Sequence, residues 1–301
     1  MRPQVVAAVL VSHSGCREDG NVQVTTATLD NLTLDIAHCD VLGVEVSAVN
    51  MPIAVRQVQR WIDARECNYV CITGVHGVME SQRDEQLKRI HNAAGMVTPD
   101  GMPMVWINRL SGNSHVDRVY GPDLMVELCQ QGLHFGHRHF LYGGGDGVVA
   151  TLVQKLHDRF PGIQIVGTYT PPFRALTEEE DRDVTQMINQ SGADIVWVGL
   201  STPKQEHWMA KHLGRIQPPV MIGVGAAFDF LAGLKRQAPR WMQRSGMEWL
   251  YRLASEPKRL WKRYLTNNPL FCWYFLLQSL GLQDFSPQSG MSEVPATRST
   301  D

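Results

Sequence analysis

DIVWVGLSTPKQEHWMAKHLG, residues 194–214, carries the signatures of a strand, a loop and a helix in succession. DIVWV is a short apolar run rich in β-branched residues, the composition of a buried strand. KQEHWMAKHLG has helical character, and Pro203 stands at its first turn, where a missing N–H costs nothing. Between the two, the chain places Lys204, Gln205 and Glu206 at the carboxyl end of the strand. In parallel α/β sheets ligands sit outside that end, so the loop is expected to face a site.

The same alternation runs outward in both directions. VLGVEV (41–46) reads as a strand and PIAVRQVQRWIDA (52–64) as an amphipathic helix. NYVCITG (68–74) is a strand and SQRDEQLKRIHNAA (81–94) a helix, followed by strand-like pieces at Met96–Val97 and Met104–Ile107. GPDLMVELCQQ (121–131) is a helix, HRHFLYG (137–143) a strand and GDGVVATLVQKLHDRF (145–160) a helix. GIQIVGTY (162–169), then TEEEDRDVTQMINQSG (177–192), then VMIGVG (220–225) after the opening stretch complete the series. Strands that alternate with helices predict βαβ crossovers. The expected fold is α/β and Rossmann-like: a mostly parallel sheet with helices on both faces, plus a C-terminal helical basic-aromatic appendage.

The 301 residues suffice for a large core, and a formal net charge of −2 argues against general attraction to nucleic acid. The cysteines (16, 39, 67, 71, 129, 272) form no disulfide or zinc pattern, which predicts reduced thiols in a cytoplasmic compartment. Residues 4–12, QVVAAVLVS, are apolar but short, and His13 does not suit a lipoprotein cleavage site before Cys16; an extension is the preferred reading over a signal peptide. No apolar run reaches the length of a bilayer span. The expected organisation is an N-terminal extension (1–35), a main domain (36–240), a membrane-associating helical appendage (241–283) and a polar, disordered tail (284–301).

Three motifs invite chemistry, each beside a plainer reading. YGGGDG (142–147) takes a strand into glycines and a helix, which suits backbone approach to a phosphate or simply a tight turn. TPDGMP (98–103) sets Asp100 in turn chemistry, as a cap or as a general base on an acceptor hydroxyl. DRD (181–183) resembles a metal-binding pair but follows three glutamates at a helix start, where acidic residues complement the dipole. No other acidic pair forms a cage, so no metal and no cofactor are expected.

The segment from Lys235 to Leu282 interleaves basic residues with tryptophans, tyrosines and phenylalanines. Arg252, Arg259 and Arg263, seven and four apart, share a helical face if the helix continues through Pro257; alternatively Pro257 opens a second helix capped by Ser255. The plain reading is an amphipathic helix closing the core; the sharper one is a membrane-surface helix. Nucleic-acid binding ranks third.

VTPDGMPMV, VYGPDL, FLYGGGDGV, VGLSTPKQEHW, IGVGAAFDFLAG and APRWMQRSGMEWLYRLASEPKRLWKRY follow one another in order. Over roughly residues 40–268 the chain closely resembles the WecG/TagA/CpsF family of bacterial glycosyltransferases. The resemblance implies inverting, metal-independent transfer of a sugar from a UDP-sugar to an undecaprenyl-diphosphate-linked glycan in cell-surface polysaccharide synthesis. It implies an enzyme peripheral on the inner face of the plasma membrane, touching the membrane through its appendage, as a monomer or small homo-oligomer.

It also implies roles. Asp100 would be the general base; Thr73, Arg118 and Gln205 would contact the donor sugar. Gly144 and Gly145 would approach the diphosphate with Tyr169 nearby, and Asp229 would hold the uridine. Arg252, Arg259 and Arg263 would neutralise phosphates of donor or lipid carrier, and Lys204 and Glu206 would touch ligand or fix the loop by pairing. Two departures stand out: Gly74 and His76 replace an Asn-rich turn, and Gln237 replaces a basic residue. The first leaves the donor open among N-acetylmannosamine, its uronic acid, glucose and glucuronate. An oxidoreductase would need GxGxxG after a strand, which is lacking. A non-catalytic nucleotide- or lipid-binding protein on the same scaffold would not need Asp100 and Gln205, yet both are present.

Overall fold

The computed structural model describes residues 36–287. The expected N-terminal extension and the tail from residue 288 onward lie outside them. The chain begins with strands β1 (His38–Val41) and β2 (Val44–Ser47), then helix α1 (Met51–Ala64), β3 (Asn68–Thr73), α2 (Val75–Ser81), α3 (Glu85–Asn92) and β4 (Met96–Pro99). It continues with α4 (Met102–Leu110), α5 (Gly121–Phe135), β5 (Arg138–Gly143), α6 (Val148–Arg159), β6 (Gln164–Tyr169) and α7 (Glu178–Ser191). β7 (Ile195–Gly199), α8 (Lys204–His212), β8 (Val220–Gly223) and α9 (Ala227–Leu231) complete the sheet-forming part. Three helices follow: α10 (Arg240–Arg244), α11 (Glu248–Ser255) and α12 (Pro257–Ser279).

Six strands form one sheet in the order β4-β3-β8-β7-β5-β6, every pair parallel. Alternation along each strand builds the two cores. Val70, Leu141, Trp197 and Ile222 face α1, α5, α6 and α9, whereas Tyr69, Cys71, Tyr142, Val198 and Met221 face the other layer, to which α4, α7, α8 and α12 contribute. Helices on both faces and near-continuous apolar strands are what a buried parallel sheet requires. The fold is α/β and Rossmann-like, as the alternation predicted.

Local differences from the sequence reading have local causes. VLGVEV is a hairpin of β1 and β2, because Leu42 and Gly43 both take positive φ (55° and 78°) and turn the chain within two residues. Met104–Ile107 is helical: Pro103 sits in the first turn of α4, and Met104 and Ile107, three apart, bury on one face. The helix expected from Ser81 is two: α2 ends there, and Asp84 caps α3 by accepting from the N–H groups of Gln86 (2.9 Å) and Leu87 (3.1 Å). The helix does not continue through Pro257. Glu256 (φ −134°, ψ 60°) separates α11 from α12 and holds the cap position given above to Ser255.

Asp181 lies in the first turn of α7, where Arg215 (2.8 Å), His212 (3.2 Å) and Lys211 (3.4 Å) take its carboxylate. The tail expected to be disordered from residue 284 starts too early: Phe285 is buried and its carbonyl accepts from Lys88 Nζ at 3.0 Å, which anchors the chain there.

Candidate active site

The carboxyl ends of β3, β4 and β8 align, with Thr73 beside Pro99 and Cys71 beside Gly223. The loops leaving them, with the one after β7, wall a cavity of about 1140 Å³ whose far side is α10, α11 and α12. Asp100, Arg118, Gln205, Asp229, Arg252, Arg259 and Arg263 all line it.

Asp100 follows β4, and its N–H donates to the Thr73 carbonyl at 2.9 Å, tying the loop to the end of β3. A Cβ on Gly74 would stand 2.5 Å from the Asp100 carbonyl oxygen, so that position needs the bare backbone. The departure at Gly74 therefore has a packing reason. The Asp100 carboxylate accepts from Arg118 Nε (3.2 Å) and Nη2 (3.1 Å). The same guanidinium donates to Glu248 on α11 (2.6 Å) and Gln243 on α10 (3.2 Å), and it stacks over the Tyr120 ring at 4.1 Å. One arginine thus ties the sheet's carboxylate to two helices of the appendage.

Burial works against the charge on Arg118, but Asp100 and Glu248 outweigh it and raise its pKa. Glu248 is raised too, first by burial and then by Asp100, against the pull of Arg118.

Gln205 is held from three directions. It opens α8, its Oε1 accepts from the Gly225 N–H at 3.0 Å, and its Nε2 donates to Glu206 at 3.0 Å. Glu206 is fully buried and accepts also from Thr202 Oγ1 at 2.9 Å, while Lys204 is exposed. The acid therefore fixes the loop, with Thr202 and Gln205 as its partners. Its second oxygen, the Thr73 hydroxyl and the His91 Nε2 have no hydrogen bond among the described residues.

The appendage brings cations. Arg252 lies over the Phe230 ring at 5.8 Å. Arg263 is pulled down to about 10, first by burial and then by Arg252 and Arg259, against the opposing effect of Tyr264. His76 on α2 is lowered to about 3, first by burial and then by Arg263, Arg83 and Arg252. Three arginines lining one cavity, Arg252, Arg259 and Arg263, make a site that gains by accepting an anion. Lys235 pairs with Asp229 at 3.0 Å at the cavity's edge.

Thr73 is buried at the end of β3, directly before Gly74, which lines the cavity. Gly144, Gly145 and Tyr169 stand further along the sheet and are not among the lining residues. The Gly144 N–H donates to the Gly199 carbonyl at 3.0 Å, and Tyr169 stacks on Tyr142 at 5.7 Å. Sequence reasoning did not select Glu248, Gln243 or Lys235, and it noted His76 as a departure from the family pattern without giving it a role. The one sequence signal for Glu248 was its rarity, an acid within a basic run. Among the described residues, no group of three or more His, Cys, Asp and Glu is placed to hold a metal ion.

Comparison with known proteins places the chain among glycosyltransferases. The chain is 32% identical over 207 residues to an N-acetylglucosaminyldiphosphoundecaprenol N-acetyl-beta-D-mannosaminyltransferase of Bacillus subtilis, covering 68% of this chain and 78% of that protein. It is 27% identical over 240 residues to the protein so named in Staphylococcus aureus, covering 79% and 91%. A Bacillus spizizenii protein of the same name is 30% identical over 187 residues, covering 62% and 70%. The sequence model of the "Glycosyl transferase WecG/TagA/CpsF family" matches residues 39–284, and the chain belongs to that family of glycosyltransferases.

Proposed function

We propose that this glycosyltransferase moves a sugar, by inversion and without a metal, from a UDP-sugar to an undecaprenyl-diphosphate-linked acceptor at a membrane surface. The observation that carries the reading is the Asp100–Arg118–Glu248 linkage (3.1 and 2.6 Å) inside a cavity edged by Arg252, Arg259 and Arg263. The relatives' names supply the acceptor class. The donor sugar in those names is N-acetylmannosamine, which makes it the first donor to try here.

In this reading the acceptor hydroxyl oxygen attacks the anomeric carbon from the face opposite the UDP. The new carbon–oxygen bond forms as the bond to the β-phosphate oxygen breaks. The acceptor proton passes to the Asp100 carboxylate, and the electron pair leaves with UDP. Arg118 holds the Asp100 carboxylate in place through two N–H donors before the proton arrives. The leaving diphosphate gains negative charge, and the arginines of α11 and α12 supply donors for it in a fork geometry suited to phosphate. Gln205, held by Gly225 and Glu206, presents a fixed amide to sugar hydroxyls.

Among the described residues no helix is long and apolar enough to cross a membrane. The appendage exposes Trp241 and Trp261 among basic residues, and Trp273 further along α12, which supports peripheral contact with an anionic bilayer. The test incubates the full chain with UDP-N-acetylmannosamine and other UDP-sugars, a polyprenyl-diphosphate-linked N-acetylglucosamine and EDTA. A new lipid-linked product of the expected mass supports the reading. Product that appears only when a divalent cation replaces EDTA overturns metal independence, and no product from any donor overturns the transferase assignment on this acceptor.

A further inference from the structure

The cavity does not end at the arginines. On α12 its wall continues through Leu265, Asn268, Cys272, Leu276 and Ser279, a stripe at helical spacing. On α4 the same cavity is lined by Pro103, Trp106 and Leu110, again three and four apart. Trp106 is 46% exposed and Leu110 82%, so both leave large apolar surfaces beside the cavity. A Cβ on Gly246 would meet the Trp106 ring at 2.7 Å, so the turn after α10 packs directly on the indole. From Leu265 to Ser279 the stripe is about 21 Å long at 1.5 Å per residue. One end of this space is cationic and the other apolar. That asymmetry matches a ligand with an anionic head and a long hydrocarbon tail.

Building on the proposed function, we infer that the groove between α4 and α12 binds the first isoprenoid units of the acceptor, while Arg252, Arg259 and Arg263 hold its diphosphate. The tail is the single occupant assigned to this surface. Continuity with the arginine cluster distinguishes it from general membrane contact, for which the outward residues of α12, such as Trp273, are available. Apolar burial of one or two prenyl units suffices for a measurable preference.

The experiment uses the full chain, without vesicles. It compares two water-soluble acceptors with the same diphosphate sugar head, one with a short isoprenoid tail and one with a hydrophilic linker. The wild type is expected to favour the tailed acceptor by at least about tenfold in kcat/KM. Leu110→Glu and Leu276→Glu should bring that ratio close to one, and Trp273→Glu should leave it in place. Melting temperatures verify that each variant is folded.

A wild-type ratio near one overturns the inference. So does a ratio that survives both groove substitutions while vesicle binding falls, which reassigns the surface to the bilayer. Binding of the tailed diphosphate, read by quenching of tryptophan fluorescence, decides the matter separately from turnover. If transfer fails but the tailed head still binds and both groove variants lose it, the groove stands and only the transferase reading falls. If neither groove variant weakens that binding, the groove falls whatever the turnover.

Discussion

The two walls of the cavity are built differently. On the sheet side Gln205 is 3% exposed and bonded on both ends of its amide, and Asp100 is tied through backbone and carboxylate. On the appendage side α11 buries no residue, and Arg259 is exposed and pairs with Glu256, the residue that caps its own helix. The first wall is preorganised by neighbours that cannot move without opening the core. The second contributes charge from helices held by few buried side chains, Leu260, Tyr264, Asn267 and Phe271 along α12. Geometry therefore comes from the sheet and electrostatic strength from the appendage, and a local opening of the appendage costs little compared with unfolding.

The sharpest break in that comparison is Asp100→Asn. Loss of the base should lower kcat by about 10²–10⁴-fold while UDP binding, measured by calorimetry, is kept. An unchanged rate would remove Asp100 from the chemistry. Truncation after residue 240 takes away Glu248 and the arginines together. Turnover should fall at least about 10²-fold, with vesicle association falling in parallel, and the sheet domain should still melt cooperatively. A truncated chain that melts without a cooperative transition would show that the two walls are one folding unit.

Glu206→Ala tests the rigid wall. It strands the Thr202 hydroxyl and the Gln205 amide in a buried site, at about 1–3 kcal/mol of stability by denaturant unfolding. No change in stability would mean the loop is not held by this acid.

His76 reports on the boundary between the walls. Its folded pKa, about 3, lies below the ordinary 6.5, so the unfolded chain takes up the proton first as pH falls. The stability that goes with neutral His76 is complete above about 6.5 and is lost as pH drops toward 3. Between neutral pH and pH ~5 the loss should be on the order of 2 kcal/mol, and His76→Gln should remove that dependence. In the truncated chain, without Arg252 and Arg263, the imidazole should titrate higher by NMR; an unmoved value would mean the appendage arginines do not reach it. The smallest effect is expected for Arg259→Ala. An exposed pair of this kind contributes below ~1 kcal/mol, so thermal stability should be unchanged within error.

Much of the sheet was legible because its signals are local. Short apolar runs rich in β-branched residues, bounded by turn residues, read out β3, β5, β6 and β7, and helical periodicity read out α1, α5, α6, α7 and α8. The misread pieces were those where a short apolar run fits both periods, as in Met104–Ile107, or where a turn lacks the usual Asn or Asp, as at Leu42–Gly43. Within the site, the loops at strand ends were legible because the topology of a parallel sheet says where they face. The contact between Arg118 and Glu248 spans 130 residues of sequence, and no local pattern encodes it. Gly144, Gly145 and Tyr169 were selected by motif resemblance, and the structure sets them beyond β7 from the cavity wall.

Phe285 gives the appendage a second attachment. Its carbonyl approaches Gly43 so closely that a Cβ there would lie 1.9 Å from it, and Lys88 holds the same oxygen. The Leu42 N–H adds a bond to Gln278 Oε1 at 3.0 Å. The three helices are therefore a strap pinned at both ends rather than a free arm. A strap can bow away from the cavity to admit a lipid-borne substrate, yet its arginines never dilute into solvent. Their effective concentration over the site is set by the length of the tethered loop, and reclosure is an intramolecular step.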